Sequence, residues 1–584
     1  MQSVSRSLGK LSSSPQVHAL LAASVLNCLF GLPNCLRPDG IDPAAVRISG
    51  DVLGLTALWA VCEVRQLGLA WRVPLRAACA ILIVYQVDSA LCVVLTRQAP
   101  VLYDQWFLLR HLGVLLSDLC GRWLLPAGLG VLLVVGIVVS WVRRLLRVIA
   151  PALLPAQRSR TLRAASLLAL AVVTLSAVPA AATGGAPIIH WLVPELARSV
   201  RESYGLWHGV EHGLRASPYR DYGKLALRRK PRVLFFFVES YGRVITQDPA
   251  MSDIWRGAVS SMEGDLTRAG WSSASAYSEA PVSAGRSWLA HASVFTGIHV
   301  SNEALFQRLS AGKHMQVPNL VGVLRQAGYD TALLAPGDRA RPGVHVDNTY
   351  GYRRTFGFSE LRYQGPYFGW GRVPDQYSLA FANEQVLQPA GTPLFFTFIM
   401  VSSHAPWSTA PRRVADAYNL GAYSEQVRRV QANPETPNQP QRGPIEAQLS
   451  RYARTRLPGP KRRASANMRA AYATAVAYDL TLIRDQLLGI RGDTLVLVMG
   501  DHQPPLVTDE SEDFAVPLHV LARDPELLAE FLEHGFVPRL QVPAHAAAAV
   551  KHEGLLSLLM RALARANGIS PLPPYLPGGQ RLDD

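Results

Sequence analysis

The sequence is poor in cysteine, and its few cysteines are confined to one end. All six lie within the first 120 of the 584 residues, and none follows Cys120. The long remainder therefore has no disulfide framework, no thiolate zinc site and no cysteine nucleophile.

Charged residues are also scarce, at 17% of the chain, whereas 49% of it is hydrophobic. A chain of this length is too long for one compact domain, and its average composition indicates a membrane part joined to a soluble part. The net charge of +15 comes from scattered arginines. Such a charge suits anionic lipid or an anionic substrate, and no nucleic-acid recognition motif accompanies it, so we expect no nucleic-acid partner.

Long apolar runs are confined to the first 182 residues. Five have the length of about 20 residues that crosses a bilayer as a helix, and they cover 17–36, 52–71, 75–96, 124–142 and 163–182. A shorter run, 106–120, contains Arg110, His111 and Asp118. We interpret it as an interfacial or re-entrant helix, with a sixth span as the alternative. The sequence thus predicts an N-terminal α-helical membrane bundle of about five spans.

Basic residues are distributed unevenly between the loops of this bundle. The richer loops precede span one, join spans two and three, and join spans four and five, with Arg6, Lys10, Arg72, Arg76, Arg143, Arg144, Arg147, Arg158, Arg160 and Arg163. The positive-inside rule places these loops in the cytoplasm, so with five spans everything after residue 183 lies outside. We expect a multi-pass protein of the cell membrane whose soluble part is extracytoplasmic.

The remaining chain divides into a connector and a large domain. Residues 183–230 are predicted to be a juxtamembrane connector, in which 189–214 forms either an amphipathic helix on the membrane or a plain linker helix. From 231 to 584, short β-rich runs alternate with helical segments, as in an α/β sheet. The predicted strands are 232–238, 331–335, 394–401 and 494–499, and a Pro- and Arg-rich insert at 409–465 is predicted to be a basic surface loop.

Residues that bind metal or phosphate follow three of these strands. Glu239 follows the first, His404 the third, and Asp501 and His502 the fourth. In open α/β sheets, ligands collect beyond the carboxyl ends of the strands, so we expect these side chains to meet at one edge. Glu239, Asp501 and His502 offer two carboxylates and an imidazole, a set that suits Mn²⁺, Zn²⁺ or Mg²⁺.

The segment APVSAGRSWLAHASVFTGIHV contains the candidate nucleophile. Small residues and Gly285 precede a predicted helix over 287–295, which puts Ser287 at the helix start. Unpaired backbone N–H groups and the helix dipole favour an anion at that position. An ordinary serine N-cap is the structural alternative, and Ser283 is the alternative nucleophile.

The motifs ES, GRSW, SSH and GDH occur in an order that resembles the alkaline phosphatase superfamily. Within it, the sequence is most similar to the branch of lipoteichoic acid synthases and phosphoglycerol transferases, whose members also tend to have about five N-terminal spans. The resemblance extends to VPNLVGVLRQAGYDTALLAPGD, YGYRRTFGF, the WG-x-x-x-D of Trp370, Gly371 and Asp375, and VPLHVLARD. It implies a sulfatase/alkaline-phosphatase-like α/β catalytic domain over 231–584.

The resemblance also implies roles for particular residues. The family's metal ligands correspond to Glu239, Ser287, Asp501 and His502, with the Ser287 hydroxyl as nucleophile where the family often has threonine. His404 corresponds to its substrate-site histidine, and Trp370 and Arg372 resemble its headgroup-binding region. The implied cofactor is one divalent ion, Mn²⁺ first, with Zn²⁺ or Mg²⁺ as alternatives.

The implied activity is the transfer of a phosphoglycerol group from a phospholipid, in first place phosphatidylglycerol, to a hydroxyl of a glycan or polymer. A phosphoethanolamine transferase is one alternative, although such enzymes tend to be disulfide-rich outside the membrane. A phosphodiesterase or phosphatase with the same site is another. Formylglycine sulfatase chemistry is not expected, because its usual cysteine precursor is missing. A non-catalytic membrane sensor is the alternative outside enzymes, and the intact set of four ligands argues against it.

Overall fold

A computed structural model of the chain describes residues 189–580 with gaps, residue 582 and a few parts before residue 189. The gaps are 216, 284, 311–314, 339–347, 364–369, 371–372, 389–392, 406, 408–464, 505 and 509–512, and the earlier parts are 27, 48–51, 54–55, 58, 68–96, 101–103, 140 and 144. The chain divides into two compact units, Met1–Ser203 with Arg456–Lys461, and Tyr204–Thr455 with Arg462–Asp584.

The first unit contains a short parallel strand pair, β1 (Ile48–Ser49) with β2 (Ile189–His190), and the helix α1 (Leu69–Thr96). The helix α2 (Val193–Arg215) begins in this unit and covers most of the predicted connector helix. Beside β2, the Leu192 N–H donates a hydrogen bond to Asp51 Oδ2 at 2.5 Å.

The predicted third span, 75–96, is helical throughout, within α1. Nevertheless, no helix in the described part of the chain is both long enough and apolar enough to cross a membrane. The other predicted spans and the run 106–120 lie outside the described residues apart from scattered positions. The membrane bundle therefore stays a prediction.

The second unit contains a sheet whose nine described strands are β3 (Arg232–Val238), β4 (Ser272–Glu279), β5 (Asp330–Leu334), β6 (Arg354–Phe356), β7 (Leu394–Ile399), β8 (Thr494–Gly500), β9 (Ala515–Ala522), β10 (Val537–Pro538) and β11 (Ala548–Lys551). Their spatial order is β10-β4-β9-β8-β3-β7-β5-β6, with β11 beside β4. The five strands from β8 to β6 are parallel, whereas β9 is antiparallel to both β8 and β4. As a result, β4 runs in the same direction as β8.

The central strand β3 shows why the sheet forms here. Its sequence, RVLFFFV, is a continuous apolar run, as expected for a strand covered on both faces. Leu234 and Phe236 pack into the apolar core on one face, and Val233, Phe235 and Phe237 into the core on the other. The predicted α/β domain is confirmed, and all four predicted strands are present to within two residues at each end.

Helices cover both faces, which gives a three-layer domain. One layer contains α3 (Val244–Gln247), α4 (Pro249–Arg268), α8 (Asp375–Ala382) and α9 (Ala466–Gly489), and the other α5 (Ser287–Thr296), α6 (Glu303–Leu309), α7 (Leu320–Gln326), α10 (Glu526–Glu533) and α11 (Leu555–Arg565). Asp248 caps α4 by accepting a hydrogen bond from the Ala250 N–H at 2.9 Å, and Pro249 occupies the first helical position. The insert 409–465 lies outside the described residues except for Ser465, which caps α9.

Candidate metal centre and its substrate side

The carboxyl ends of β3 and β8 lie side by side. Val238 at the end of β3 pairs with Gly500 at the end of β8, so Glu239 and Asp501 leave the sheet at the same level. A Cβ atom on Gly500 would lie 2.0 Å from the Tyr241 carbonyl oxygen, so only glycine lets the turn after β3 come this close. The Ser240 N–H in that turn donates to Asp501 Oδ1 at 2.7 Å.

Ser287 reaches the same place through an unusual backbone. Gly285 and Arg286 both have a left-handed conformation, with φ values of 61° and 57°, and a non-glycine residue there is strained by about 1–2 kcal/mol. The turn places the Ser287 Oγ 3.1 Å from Glu239 Oε2, to which it donates, and 3.1 Å from His502 Nε2. Arg286 occupies the N-cap position of α5, so the interpretation of Ser287 as an ordinary N-cap is wrong.

Glu239, Asp501 and His502 form a compact, buried group. His502 Nε2 lies 3.5 Å from Glu239 Oε1 and 3.6 Å from Asp501 Oδ2. One ligand atom from each residue lies within 4.8 Å of the others, and in the described part of the chain this is the one group of its kind. The structure thus brings together the three predicted strand-end ligands and the hydroxyl of Ser287.

The donors and acceptors of this group fit a divalent cation. Asp501 Oδ1 accepts the N–H groups of Ser240 and His502, whereas its Oδ2 is buried and has no hydrogen-bond partner among the described residues. His502 Nδ1 faces the Gln503 carbonyl oxygen at 2.9 Å and must carry the proton there, so the Nε2 lone pair points towards the carboxylates. The hydroxyls of Ser240 and Ser287 donate to Glu239, but the lone pairs that converge from Asp501 Oδ2 and His502 Nε2 are unfavourable unless a cation is bound.

The pKa shifts of Asp501 and His502 indicate an excess of negative charge in this group. Burial raises the pKa of Asp501, and the nearby Glu239 carboxylate raises it further. Burial lowers the pKa of His502, but the Asp501 and Glu239 carboxylates more than compensate, and the net shift is upwards. A divalent cation would reverse both shifts, because it would supply the missing positive charge.

Two histidines that sequence reasoning missed lie near the group. Burial lowers the pKa values of His291 and His552 to about 4, so both are neutral. The His291 ring packs on Phe237 with centroids 4.4 Å apart, and His552 Nδ1 lies 2.8 Å from Ser278 Oγ. His291 lies inside a helix and not after a strand, so no pattern pointed to it. His552 directly follows β11, but that strand was not predicted.

His404 lies on the loop that follows β7, and this loop is bound to the metal-ligand strand. The Ser403 hydroxyl donates to the main-chain carbonyl of Glu239 at 2.7 Å. The Val401 and Ser402 N–H groups donate to Asp375 Oδ2 at 2.9 and 2.7 Å. His404 is therefore held beside Glu239 through its neighbours.

Trp370 forms the exposed side of this region. Its indole stacks on the His404 ring, with centroids 4.3 Å apart and an interplanar angle of 18°, and 44% of the residue is exposed. The indole lies so close to Gly337 that a Cβ atom there would be 3.0 Å from it. The third residue predicted for this region, Arg372, lies outside the described residues.

A second exposed indole directly follows the candidate nucleophile, Ser287. Trp288 is 43% exposed, and its N–H donates to Glu303 Oε2 at 2.8 Å. Gln307 donates to the other oxygen of Glu303 at 2.7 Å, so the carboxylate that holds this indole is itself fixed. The W of the GRSW motif was the available clue to this residue, and it was used only for the resemblance.

Residues 265–526 match the sulfatase family. A sulfatase-family domain thus lies within these residues, and the predicted resemblance to the alkaline phosphatase superfamily is confirmed. No curated protein matches the chain.

Solved structures to which the chain is similar include three proteins from different bacteria. The lipoteichoic acid synthase LtaP from Listeria monocytogenes is 14% identical over 62% of this chain and 77% of that one, with a TM-score of 0.35. The Streptococcus pyogenes phosphoglycerol transferase GacH, in complex with sn-glycerol-1-phosphate, is 11% identical over 61% of this chain and 80% of that one, with a TM-score of 0.34. The C-terminal periplasmic domain of EcEptC from Escherichia coli, in complex with Zn, is 14% identical over 56% of this chain and 81% of that one, with a TM-score of 0.31.

Proposed function

We propose that the protein is a membrane-anchored, metal-dependent transferase that moves a phosphoglycerol group from phosphatidylglycerol to a hydroxyl of a glycan or polymer. The observation that carries the proposal is the position of the Ser287 hydroxyl, 3.1 Å from both Glu239 Oε2 and His502 Nε2. A hydroxyl so placed beside a cation site is suited to nucleophilic attack on phosphorus.

Glu239, Ser287, Asp501 and His502 would hold one divalent ion, Mn²⁺ in first place and Zn²⁺ or Mg²⁺ as alternatives. When bound, the ion would lower the pKa of the Ser287 hydroxyl and offset the charge that develops on the phosphoryl oxygens. The two carboxylates and the serine oxygen supply the negative charge that balances it.

The transfer takes place in two displacements. In the first, a bond forms between Ser287 Oγ and phosphorus while the bond from phosphorus to the diacylglycerol oxygen breaks, and that oxygen takes up a proton. In the second, the acceptor hydroxyl attacks the phosphorus, loses its proton and releases Ser287. Glu239 Oε2 and His502 Nε2 are the two acceptors within reach of the Ser287 proton.

His404 is suited to handle the proton of the leaving or attacking oxygen. Its Nδ1 is bonded to the Ala405 carbonyl, which can only accept, so Nδ1 carries a proton and Nε2 is the nitrogen that can take up or release one. Trp370, stacked on this ring, and Arg372 would bind the headgroup of the donor.

The division of the chain belongs to the same proposal. Residues 1–182 would be the membrane domain, 183–230 the connector and 231–584 the extracytoplasmic catalytic domain, so that the site lies beside its lipid donor. A reporter that is active only in the periplasm should be active when fused after Lys230 and inactive when fused after Arg147. Inactivity of the first fusion would indicate six spans, with 106–120 as the additional one.

The activity is tested with purified full-length protein and headgroup-labelled phosphatidylglycerol or phosphatidylethanolamine, with and without candidate glycans. We expect diacylglycerol from phosphatidylglycerol, and label on a glycan hydroxyl when an acceptor is present. Ser287→Ala should abolish both products, and Ser283→Ala is its matched control, because the Ser283 hydroxyl forms no hydrogen bond with the described residues. Loss of activity in Ser283→Ala alone would make Ser283 the nucleophile.

Each other outcome identifies a different activity. Release of free glycerol phosphate in the presence of acceptor would indicate a phosphodiesterase and contradict a transferase. Preference for phosphatidylethanolamine would identify a phosphoethanolamine transferase. Protein that binds no divalent ion and turns over neither lipid would contradict enzymatic activity and favour a sensor.

A further inference from the structure

Two buried carboxylates face each other on the substrate side of the domain. Asp375 begins α8, Asp479 lies in α9, and neither side chain is accessible to solvent. The two carboxyl groups interact directly with each other. Among the described residues, no lysine, arginine or histidine forms an ion pair with either of them.

The hydrogen bonds of this pair leave one hydrogen unaccounted for. Asp375 Oδ2 accepts two backbone N–H groups, and the N–H and hydroxyl of Ser403 interact with Asp479. Even so, Asp375 Oδ1 and both oxygens of Asp479 are buried and form no hydrogen bond of good geometry with the described residues. Two ionised carboxylates in contact would repel each other in a medium of low dielectric. A proton on one of them supplies the missing donor and removes one of the two charges.

The electrostatics of the surroundings agree with this arrangement. Burial raises the pKa of Asp375 to about 6 and raises that of Asp479 further, because Asp375 adds its own charge. Among the described residues, the other titratable group that interacts with both carboxylates is Tyr478, whose pKa is raised by burial and by the two carboxylates. A tyrosine offers no positive charge.

The position of the pair connects it to the substrate side. Asp375 holds the N–H groups of Val401 and Ser402 and donates its own N–H to the Ser402 hydroxyl at 3.2 Å. Asp479 interacts with the following residue, Ser403, whose hydroxyl is bonded to the Glu239 carbonyl. The pair thus contacts three successive residues of the loop, and the fourth is His404.

We propose that Asp375 and Asp479 share one proton, and that this acid pair positions the loop Val401–His404 so that His404 faces the reacting group. Both are positioning residues, because they act through His404 and do not touch substrate. This role for His404 rests on the proposed function, whereas the shared proton does not.

The substitutions that separate this role from simple structural support differ in whether they can supply a hydrogen. Asp479→Asn keeps the shape and offers an amide N–H in place of the shared proton. Asp479→Leu has a similar volume and offers none. We expect a loss of kcat of about tenfold for Asp479→Leu, equivalent to about 1.4 kcal/mol, and substantial rescue in Asp479→Asn. KM and metal content should change little in either.

A double-substitution cycle with His404→Ala decides whether the effect passes through His404. Coupled residues give non-additive effects, and independent ones give additive effects. We expect Asp479→Leu to lower kcat in the wild-type background and to have almost no further effect when His404 is already alanine. If Asp479→Leu lowers kcat by the same factor in both backgrounds, the pair only supports the fold and the proposal is overturned.

The shared proton is tested without any substrate. The infrared spectrum of the metal-loaded protein near neutral pH should contain the C=O band of a protonated carboxylic acid, and this band should disappear in both Asp375→Asn and Asp479→Asn. Asp253→Asn, the same change at an exposed site in α4, is the control that should leave the band intact. A missing band in the wild type, or its persistence in both variants, would overturn the proposal. A protein with the band and no activity on any lipid would contradict the proposed function alone.

Discussion

The two sides of the site are built in different ways. On the metal side, Glu239, Asp501 and His502 directly follow central strands and are almost fully buried, at 6%, 1% and 1% exposure. On the substrate side, His404 is half-buried on a loop and Trp370 is largely exposed. In the proposed function, the sheet therefore fixes the reacting atoms, whereas loops that can vary without disturbing the sheet would contact the donor. Substitutions on the metal side should abolish turnover, and those on the substrate side should alter affinity and preference.

The largest effect is expected for Ser287→Ala. It removes the nucleophile but leaves the two carboxylates and His502, so turnover should be lost while the ion and most of the lipid affinity are retained. Mass spectrometry of trapped wild-type protein should place a phosphoglycerol adduct on the peptide that contains Ser287. An adduct on Ser283, or full activity of Ser287→Ala, would show that the wrong hydroxyl was assigned.

Asp501→Asn should have the next largest effect, on ion binding. The amide oxygen can still accept the N–H groups of Ser240 and His502, so the domain should fold, but one of the two negative ligands is lost. We expect the affinity for the divalent ion to fall by at least about tenfold, or 1.4 kcal/mol, as measured by titration calorimetry. Asp501→Ala and His502→Ala should lose the ion, and stoichiometric metal in both would disprove this ligand set.

Acid should weaken the folded state chiefly around the metal side. His291, His519 and His552 are buried there or in the adjoining β9, and burial lowers the pKa of each to about 4. In the unfolded chain they titrate near 6.5, so the unfolded state binds more protons between pH 4 and 6.5, and the free energy of unfolding falls as the pH falls through this window. Each histidine should lower the free energy of unfolding by on the order of 1–3 kcal/mol once the pH has fallen through this window.

A substitution tests this pH dependence. His519→Gln should remove about one proton from the slope of unfolding free energy against pH between 4 and 6.5. His534→Gln is the control for this slope, because His534 directly follows α10 and is partly exposed, whereas His519 is buried. An unchanged slope in His519→Gln would mean that His519 is not neutral in the folded protein.

The smallest effect is expected for Trp370→Ala. Loss of the stacked indole should raise KM for the lipid by about two- to tenfold, corresponding to 0.5–1.5 kcal/mol for an aromatic contact, with little change in kcat or metal content. Trp370→Phe should recover part of the loss. A change in metal affinity instead would show that the two sides are not separable.

The parts of the domain that the sequence predicts are those in which a residue's surroundings follow from its neighbours in the chain. The strand β3 is apolar throughout, and its end identifies Glu239. In contrast, β4 reads SSASAYSE, which is small and polar although most of it is buried. Its backbone pairs with β9 on one edge and with β10 and β11 on the other, and Ala274 and Ala276 pack into the apolar core. Its polar sequence did not predict a strand. Because β4 was not predicted, the direction in which the chain approaches Ser287 was not predicted either.

Contacts between distant segments were beyond sequence reasoning. Asp375 was noticed only as part of a motif, and nothing in the chain pairs it with Asp479 in α9. The close approach of Gly500 to the Tyr241 carbonyl likewise depends on the register of β3 and β8. Glu239, Asp501 and His502 could be predicted because each follows a recognisable strand, whereas the groups that orient them are fixed by tertiary structure.

The double pairing of β3 has a consequence for the order in which the molecule opens. This strand is hydrogen-bonded to β7 on one edge and β8 on the other, and six of its seven residues are buried. Backbone amides so enclosed exchange their hydrogens for deuterium only when the whole domain unfolds. Glu239 is joined directly to this strand, so the ion should dissociate many times before residues 233–237 exchange, and a chelator that strips the protein should leave their deuterium uptake slow.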